Sequence, residues 1–548
     1  MAREVGLCAA MLTVVFPGVC YRRRVSIEQS SPSDPSELET GAAQRAANRP
    51  QKVISRSLAD IADQVGATSV LGDAFVTGIA LSTASTQPGD LFFAQPGARA
   101  HGAHYLADAV RAGAVAVLTD AAGADIIDVT PGVSALPRIV VDGHPRRVLG
   151  GLAAWFYDQP ARALKTIGIT GTQGKTSTTY LVDAARQSRH TGVIGSMGTR
   201  IDGVAVPSTL TTPEAPQMHA LMALMRERGV EVVTSEVSSH AITMGRVEGL
   251  RFDVGIFLNL GHDHRDFHGT QQAYLLAKRQ LLTPAMSAVA LVNVDDGAGR
   301  RLHADAELNT QSFSVTGRDA DWRAVDIDLR LDGSSFRVIG PDGQTARFTT
   351  PLVGEFNVSN ILAAVAALDI VGHPLAASVA GISSFAGVEG RVQFVPVDAE
   401  FQVVIDAGHK PEAINALLRA MRPLTPGRII TVIGSNGNRD AHKRPLMGRF
   451  SAMASDIVIV TDDNPADEDP ETIRRAVVAG TRGSRAEVFD VGGRAEAIHK
   501  AVELAREGDL IAIVGKGDER HQIMRDGVIV PHSDPDEVEW ALRQRAGS

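Results

Sequence analysis

The run Ile167-Gly168-Ile169-Thr170-Gly171-Thr172-Gln173-Gly174-Lys175-Thr176 leaves this chain little choice of fold. An apolar strand, a tight glycine turn and a helix-compatible segment in direct succession aim backbone N–H groups and a helix dipole at one point, which is how a phosphate is held. Lys175 would meet the β- and γ-phosphates of a nucleotide, and the Thr176 hydroxyl would meet Mg2+. The longer form of such loops has a glycine where this chain has Ile169, so the loop is the short GTxGKT type. Gly171, Thr172, Gln173, Gly174, Lys175, Thr176 and Ser177 are therefore the candidate ATP-binding residues.

A strand that enters such a loop belongs inside a parallel sheet, and the flanking sequence agrees. Apolar runs at Thr166–Thr170, Val230–Thr234, Val254–Leu258 and Ala288–Val292 alternate with helical patterns across 161–388, predicting a central parallel-sheet ATPase domain. Asp332-Gly333 and Asp342-Gly343 predict a hairpin insert within 305–350. Runs at Phe401–Ile405, Arg428–Ile433, Ile457–Val460 and Leu510–Val514 predict a Rossmann-like α/β domain over 389–548. A small α/β domain is expected over 51–160, with strands at Leu91–Ala94 and Ala114–Leu118 and a helix over 104–111. The expected class is thus α/β in three domains, preceded by an extension, 1–50, that is disordered or follows a mis-called start.

Composition narrows the function. The 548 residues are 44% hydrophobic and carry a formal charge of -9, which excludes a disordered chain and argues against nucleic-acid or anionic-membrane partners. Both cysteines, Cys8 and Cys20, precede the folded sequence, so the body of the chain has no thiolate metal site or disulfide, as fits a reducing, cytoplasmic setting. The apolar run from Gly6 to Cys20 is too short to span a membrane, and its arginines follow it, unlike a secretory signal. Of 54 basic residues only eight are lysines, among them Lys175, Lys278, Lys410, Lys443 and Lys516, so each is worth locating.

A second chemical cluster follows two of the predicted strands. Glu236 and Ser238 end one, and His262-Asp263-His264-Arg265-Asp266-Phe267-His268 follows the next. The C-terminal ends of strands are where an open α/β sheet collects its site. Three histidines and two aspartates in seven residues, beside an acid on a neighbouring strand, point to a divalent cation near the nucleotide.

Taken in order, these motifs resemble the Mur ligases, the ATP-dependent amide ligases of peptidoglycan synthesis, over residues from about 75 to 545, with folylpolyglutamate synthase a more distant relative. Within the family the resemblance is to the branch that adds the third amino acid. It implies Glu236 and His264 as Mg2+ ligands, with Thr176, and Lys278 as a lysine that captures CO2 to become a carbamate (N6-carboxylysine) and so another metal ligand. By the same resemblance Lys175, Glu236, His264 and Lys278 are the catalytic set. Asn357, Arg391, Asp406 and His409 join the nucleotide site. Leu81, Thr83, Thr211, Thr212, Ser238 and Arg246 match contacts to UDP-MurNAc-dipeptide. Arg439, Asp463, Asn464, Ala466, Gly515 and Glu519 match contacts to the incoming free amino acid.

The chain departs from the family pattern at Ser82, Ala84, Met244, Ala407 and Asp518. Ala466 stands where enzymes that add meso-diaminopimelate usually carry an arginine, and several lysine-adding relatives also carry alanine there. The resemblance therefore implies a cytoplasmic, monomeric ligase that adds L-lysine or another diamino acid through an acyl phosphate. Two alternatives remain at this level: a paralogous ligase joining a different acid and amine, and a nucleotide-binding homologue without catalysis.

Overall fold

The structure is a computed structural model that describes residues 47–546 apart from positions 98 and 209. The expectations for the first 46 residues lie outside the described residues. Three sheets organise the chain.

The first sheet has five strands in the order Ser69–Leu71, Arg138–Val140, Ala116–Thr119, Asp90–Phe93, Gly78–Ala80, parallel except for its first edge strand. Residues 102–111 form a 3-10 turn that runs into a helix, close to the expected segment. One face of this sheet shares a core with Ala215, Ala220 and Ala223 of the helix Ala215–Glu227, which seats it on the next domain.

The central sheet is a single plane of eleven strands. At its heart are strand β1 (Lys165–Thr170), flanked by β2 (Val232–Glu236) and β3 (Phe252–Phe257), all parallel. The chain leaves β1 toward Thr191–Gly195 on one side and later crosses to β3 on the other. That reversal opens a crevice at the C-terminal ends of these strands, where ligands of open α/β sheets bind. The residues 309–350 do not fold apart. Asn309–Ser314 continues the parallel sheet, and Trp322–Arg330, Gly333–Ile339 and Thr345–Thr350 extend it as an antiparallel meander turned at the two Asp-Gly pairs.

Helix α1 (Lys175–Ala185) starts directly after the glycine loop, and α2 (Gln271–Arg279) follows the histidine-rich loop. Helix α3 (Glu355–Ile370) packs against α1 and is enclosed on nearly all sides, which is why its sequence is apolar throughout rather than striped. The third sheet has six strands, in the order Gln393–Val395, β4 (Gln402–Asp406), β6 (Leu510–Val514), Ile429–Ile433, β5 (Ile457–Val460), Glu487–Asp490. Five are parallel, as expected of a Rossmann-like unit, with an antiparallel first edge. Helix α4 (Pro411–Met421) follows β4. Among the described residues no helix is long and apolar enough to cross a membrane.

Candidate active site

The glycine loop closes on itself as its chemistry requires. Gly174 caps α1 with φ +84, and a Cβ there would lie 2.5 Å from Asn360 Oδ1, so any side chain at this turn would be strained and would displace Asn360. The Asn259 side chain, just beyond β3, receives the N–H groups of Thr172 and Gln173 at 3.1 and 2.9 Å and donates to the Gln173 carbonyl, fixing the loop's outline. Lys175 Nζ folds back onto the carbonyls of Gly171 (2.9 Å) and Thr172 (3.4 Å). Burial, then the nearby Lys410 ammonium, bring the Lys175 pKa down to about 8.

Beside the loop, Glu236 at the end of β2 collects oxygen and nitrogen donors. Its Oε1 accepts from Thr176 Oγ1 (2.9 Å), Ser196 N (2.8 Å) and Ser196 Oγ (3.0 Å). A carboxylate and two hydroxyl oxygens meeting at the mouth of a phosphate loop fit Mg2+, which takes hard oxygen ligands and keeps water and substrate phosphates for the rest of its shell. Among the described residues no group of three or more His, Cys, Asp or Glu side chains could hold a metal ion by itself. His264, at φ +53, pairs with Asp263 at 2.9 Å and shares an aromatic cluster with His240 and Tyr274. Burial works against the Asp263 charge, yet His264 and Lys410 hold its carboxyl well below the usual range.

Lys278 lies beneath this surface at 1% exposure, its ammonium 4.5 Å over the Tyr274 ring and 2.9 Å from the Gly171 carbonyl. Burial first, then the charges of Lys175 and Lys410, lower its pKa well below that of an ordinary lysine. A neutral amine is what CO2 capture requires.

A cleft of about 500 Å³ joins these groups to two further sets. On one side lie Thr211, Thr212, Ser238 and Arg246. The Thr212 hydroxyl donates to the Glu236 carbonyl at 2.8 Å, and Arg246 pairs with Glu214 at 2.9 Å and donates to the Thr212 carbonyl at 3.3 Å. Glu214 is also paired with Arg146, whose Nε donates to the Met244 carbonyl at 2.6 Å. On the other side lie Asn357, Arg391, Asp406 and His409. Both Asp406 oxygens are taken by backbone N–H groups, of Gly408 (2.8 Å) and Val392 (2.9 Å), so this residue shapes the turn that carries Arg391. Burial keeps His409 neutral, with a pKa of about 4.

The expected acceptor residues form a separate cluster on the third sheet. Lys516, fully buried, donates to Asn464 Oδ1 and Glu519 Oε2, both at 2.9 Å, and approaches Asp463 Oδ1 at 3.4 Å. Asn464 Nδ2 also donates to Glu519 Oε2 at 2.9 Å. Burial opposes the Glu519 charge, but the bonds from Lys516 and Asn464 prevail and lower its pKa. Gly515, at φ +119, lets Asp463 Oδ2 approach where a Cβ would stand at 2.7 Å. Ala466 adopts φ +49 and donates its N–H to Ile523 at 3.0 Å, and Arg439 stands exposed on the loop after Ile429–Ile433. Leu81 and Thr83 sit half-buried after Gly78–Ala80 and are not among the cleft residues.

Sequence reasoning missed Ser196, Asn259 and Lys410 as cleft residues and Lys516 as the hub of the acceptor cluster. For the two lysines the signal was their rarity; for Asn259 it was its place after a strand.

Comparison with known proteins decides the family. The profile of the Mur ligase family catalytic domain matches residues 75–157, that of the Mur ligase middle domain 169–368, and that of the Mur ligase glutamate ligase domain 390–517. A Streptomyces avermitilis protein named UDP-N-acetylmuramoyl-L-alanyl-D-glutamate--2,6-diaminopimelate ligase is 44% identical over 91% of this chain and 99% of its own length. The chain belongs to the Mur ligase family. A Leifsonia xyli relative named UDP-N-acetylmuramyl-tripeptide synthetase is 39% identical over 90% of the chain and 98% of its own. A solved Mur ligase, titled UDP-N-acetylmuramoyl-L-alanyl-D-glutamate--2,6-diaminopimelate ligase, superposes with a TM-score of 0.59 at 29% identity, covering 86% of this chain and 96% of that one. The three-domain α/β architecture expected from the sequence is therefore that of this family.

Proposed function

We propose that this Mur ligase joins a diamino acid to UDP-N-acetylmuramoyl-L-alanyl-D-glutamate with hydrolysis of ATP to ADP and phosphate. The observation that carries this is the single cleft in which the phosphate loop, the Thr176–Glu236 pair and Arg246 face one another. In this reading a D-glutamyl carboxylate oxygen attacks the γ-phosphorus and ADP leaves with the bonding electron pair. The acceptor amine then attacks the acyl carbon, loses a proton and expels phosphate. The loop's N–H groups and Lys175 hold the triphosphate, while Thr211, Thr212, Ser238 and Arg246 orient the dipeptide. Asn357 and Arg391 hold the nucleoside end, and Leu81 and Thr83 the uridine. Thr176 and Glu236, with His264 and a carbamylated Lys278, would hold Mg2+, which would supply the charge neutralisation that lets two anions meet.

The sheet boundaries support domains over 51–160, 161–388 and 389–548, and the need for ATP supports a cytoplasmic site of action. The names of the relatives favour 2,6-diaminopimelate as the acceptor, whereas Ala466, which offers no charge to a distal carboxylate, favours L-lysine. The test is ADP release with UDP-MurNAc-L-Ala-D-Glu, ATP and Mg2+ against a panel of amino acids. Release only with diamino acids is expected, and none with any amino acid would refute the reading. Activity with diaminopimelate but not lysine would overturn the inference from Ala466.

A further inference from the structure

Three lysine side chains converge on two consecutive carbonyls of the phosphate loop, and the proposed reaction uses only two of them. Lys175 and Lys278 both donate to the Gly171 carbonyl at 2.9 Å. The Thr172 carbonyl receives Lys175 at 3.4 Å and Lys410 at 3.5 Å. Lys410 comes from the third sheet, at the residue before α4, and reaches across to the central domain. It also pairs with Asp263, its side chain 17% exposed, and it lines the cleft beside Lys175 and His264. With Lys278 neutral or carbamylated, the positive charge at the loop comes from Lys175 and Lys410, and Asp263 beside Lys410 offsets only part of it. A wall of this kind is complementary to a polyanion.

We propose that Lys410 is a catalytic residue, carried in by the C-terminal domain, that binds the terminal phosphate of ATP and stabilises the phosphoryl group in transfer. This rests on the proposed function for the identity of the acid, but not for the nucleotide. As the carboxylate oxygen bonds to the γ-phosphorus and the bond to ADP breaks, the Lys410 side chain faces the non-bridging oxygens. Because the lysine and the phosphate loop belong to different domains, phosphoryl transfer is confined to molecules in which those domains have met. That guards the acyl phosphate against forming in an open, wet site.

A latch without phosphate contact is the competing role, and a second contact across the same junction separates the two. His262 pairs with Glu412 at 2.9 Å, away from the loop carbonyls. Binding of MgADP and of the non-hydrolysable analogue AMP-PNP with Mg2+ is measured on the full chain for wild type, Lys410→Ala, Lys410→Arg and Glu412→Ala. Lys410→Ala should weaken AMP-PNP by about tenfold with ADP within about twofold, because only the third phosphate is touched. Lys410→Arg should recover some of that loss, and Glu412→Ala should leave the AMP-PNP to ADP ratio as in wild type. Acyl phosphate formed without amino acid, trapped by hydroxylamine as the hydroxamate, should slow by about 100-fold in Lys410→Ala. A wild-type affinity ratio in Lys410→Ala, or the same change in Glu412→Ala, would overturn the proposal. Absence of hydroxamate from the wild type would instead sink the choice of acid, and the nucleotide affinities would still decide Lys410.

Discussion

Lys278 illustrates how one side chain can be unfavourable for folding and still be retained. Its ammonium would be charged in the unfolded chain up to about pH 10.5, whereas burial depresses its folded pKa. The unfolded state therefore binds more protons in that window, and stability rises with pH through it. In bicarbonate-free buffer at neutral pH, Lys278→Met should raise Tm by about 2–4 °C while abolishing ligation. Added bicarbonate should raise the wild-type Tm and leave the variant unmoved. A wild-type Tm indifferent to bicarbonate, or near-normal turnover by the variant, would remove the carbamate from the account. Legibility at this scale followed local context. The Lys175 site could be read because strand, loop and helix are contiguous. Lys410 could not, because its partners Thr172 and Asp263 lie well over a hundred residues away in sequence.

At the scale of elements, the turn around Gly390 joins the central domain to the third sheet. Gly390 has φ +67, and a Cβ would meet Asp518 N at 2.2 Å and Gly517 C at 2.4 Å, both backbone atoms. Its carbonyl also accepts from Ala407 N at 2.8 Å. Gly390→Ala must therefore push the crossing segments of chain away from each other and strain its own φ, at a cost of about 2–4 kcal/mol. Scanning calorimetry should show the C-terminal domain melting earlier, and an unchanged melt would mean that the crossing is looser than these contacts indicate. Strands were legible where burial on both faces demanded continuous apolar runs, and Ile457–Val460 and Leu510–Val514 match the expected limits. Thr191–Gly195 carries two glycines, and Asn309–Ser314 reads as polar because Ser312 is bonded to Asp321, so neither announced itself.

Across the whole molecule, the C-terminal helix Asp534–Ala546 is fastened by a fully buried ion pair, Arg494 with Asp534 at 2.7 Å, which His532 supports at 2.8 Å. Removing one partner strands the other charge. Asp534→Asn should cost about 3–5 kcal/mol, and the double change Arg494→Met with Asp534→Leu should recover most of it. Limited proteolysis after Pro531 reads this directly, and an equally resistant Asp534→Asn protein would contradict it. Domain order was legible from the alternation of runs, whereas the seating of the first sheet on Ala215–Glu227 was not, since small alanines carry no strong pattern. The eleven-stranded sheet adds something of another kind. It is parallel where ligands gather and antiparallel where it ends, at Val204–Val206 on one side and Thr345–Thr350 on the other. Descendants of this chain can lengthen, trim or decorate those margins with little penalty, while the inner strands, which share the cleft, must change together or not at all.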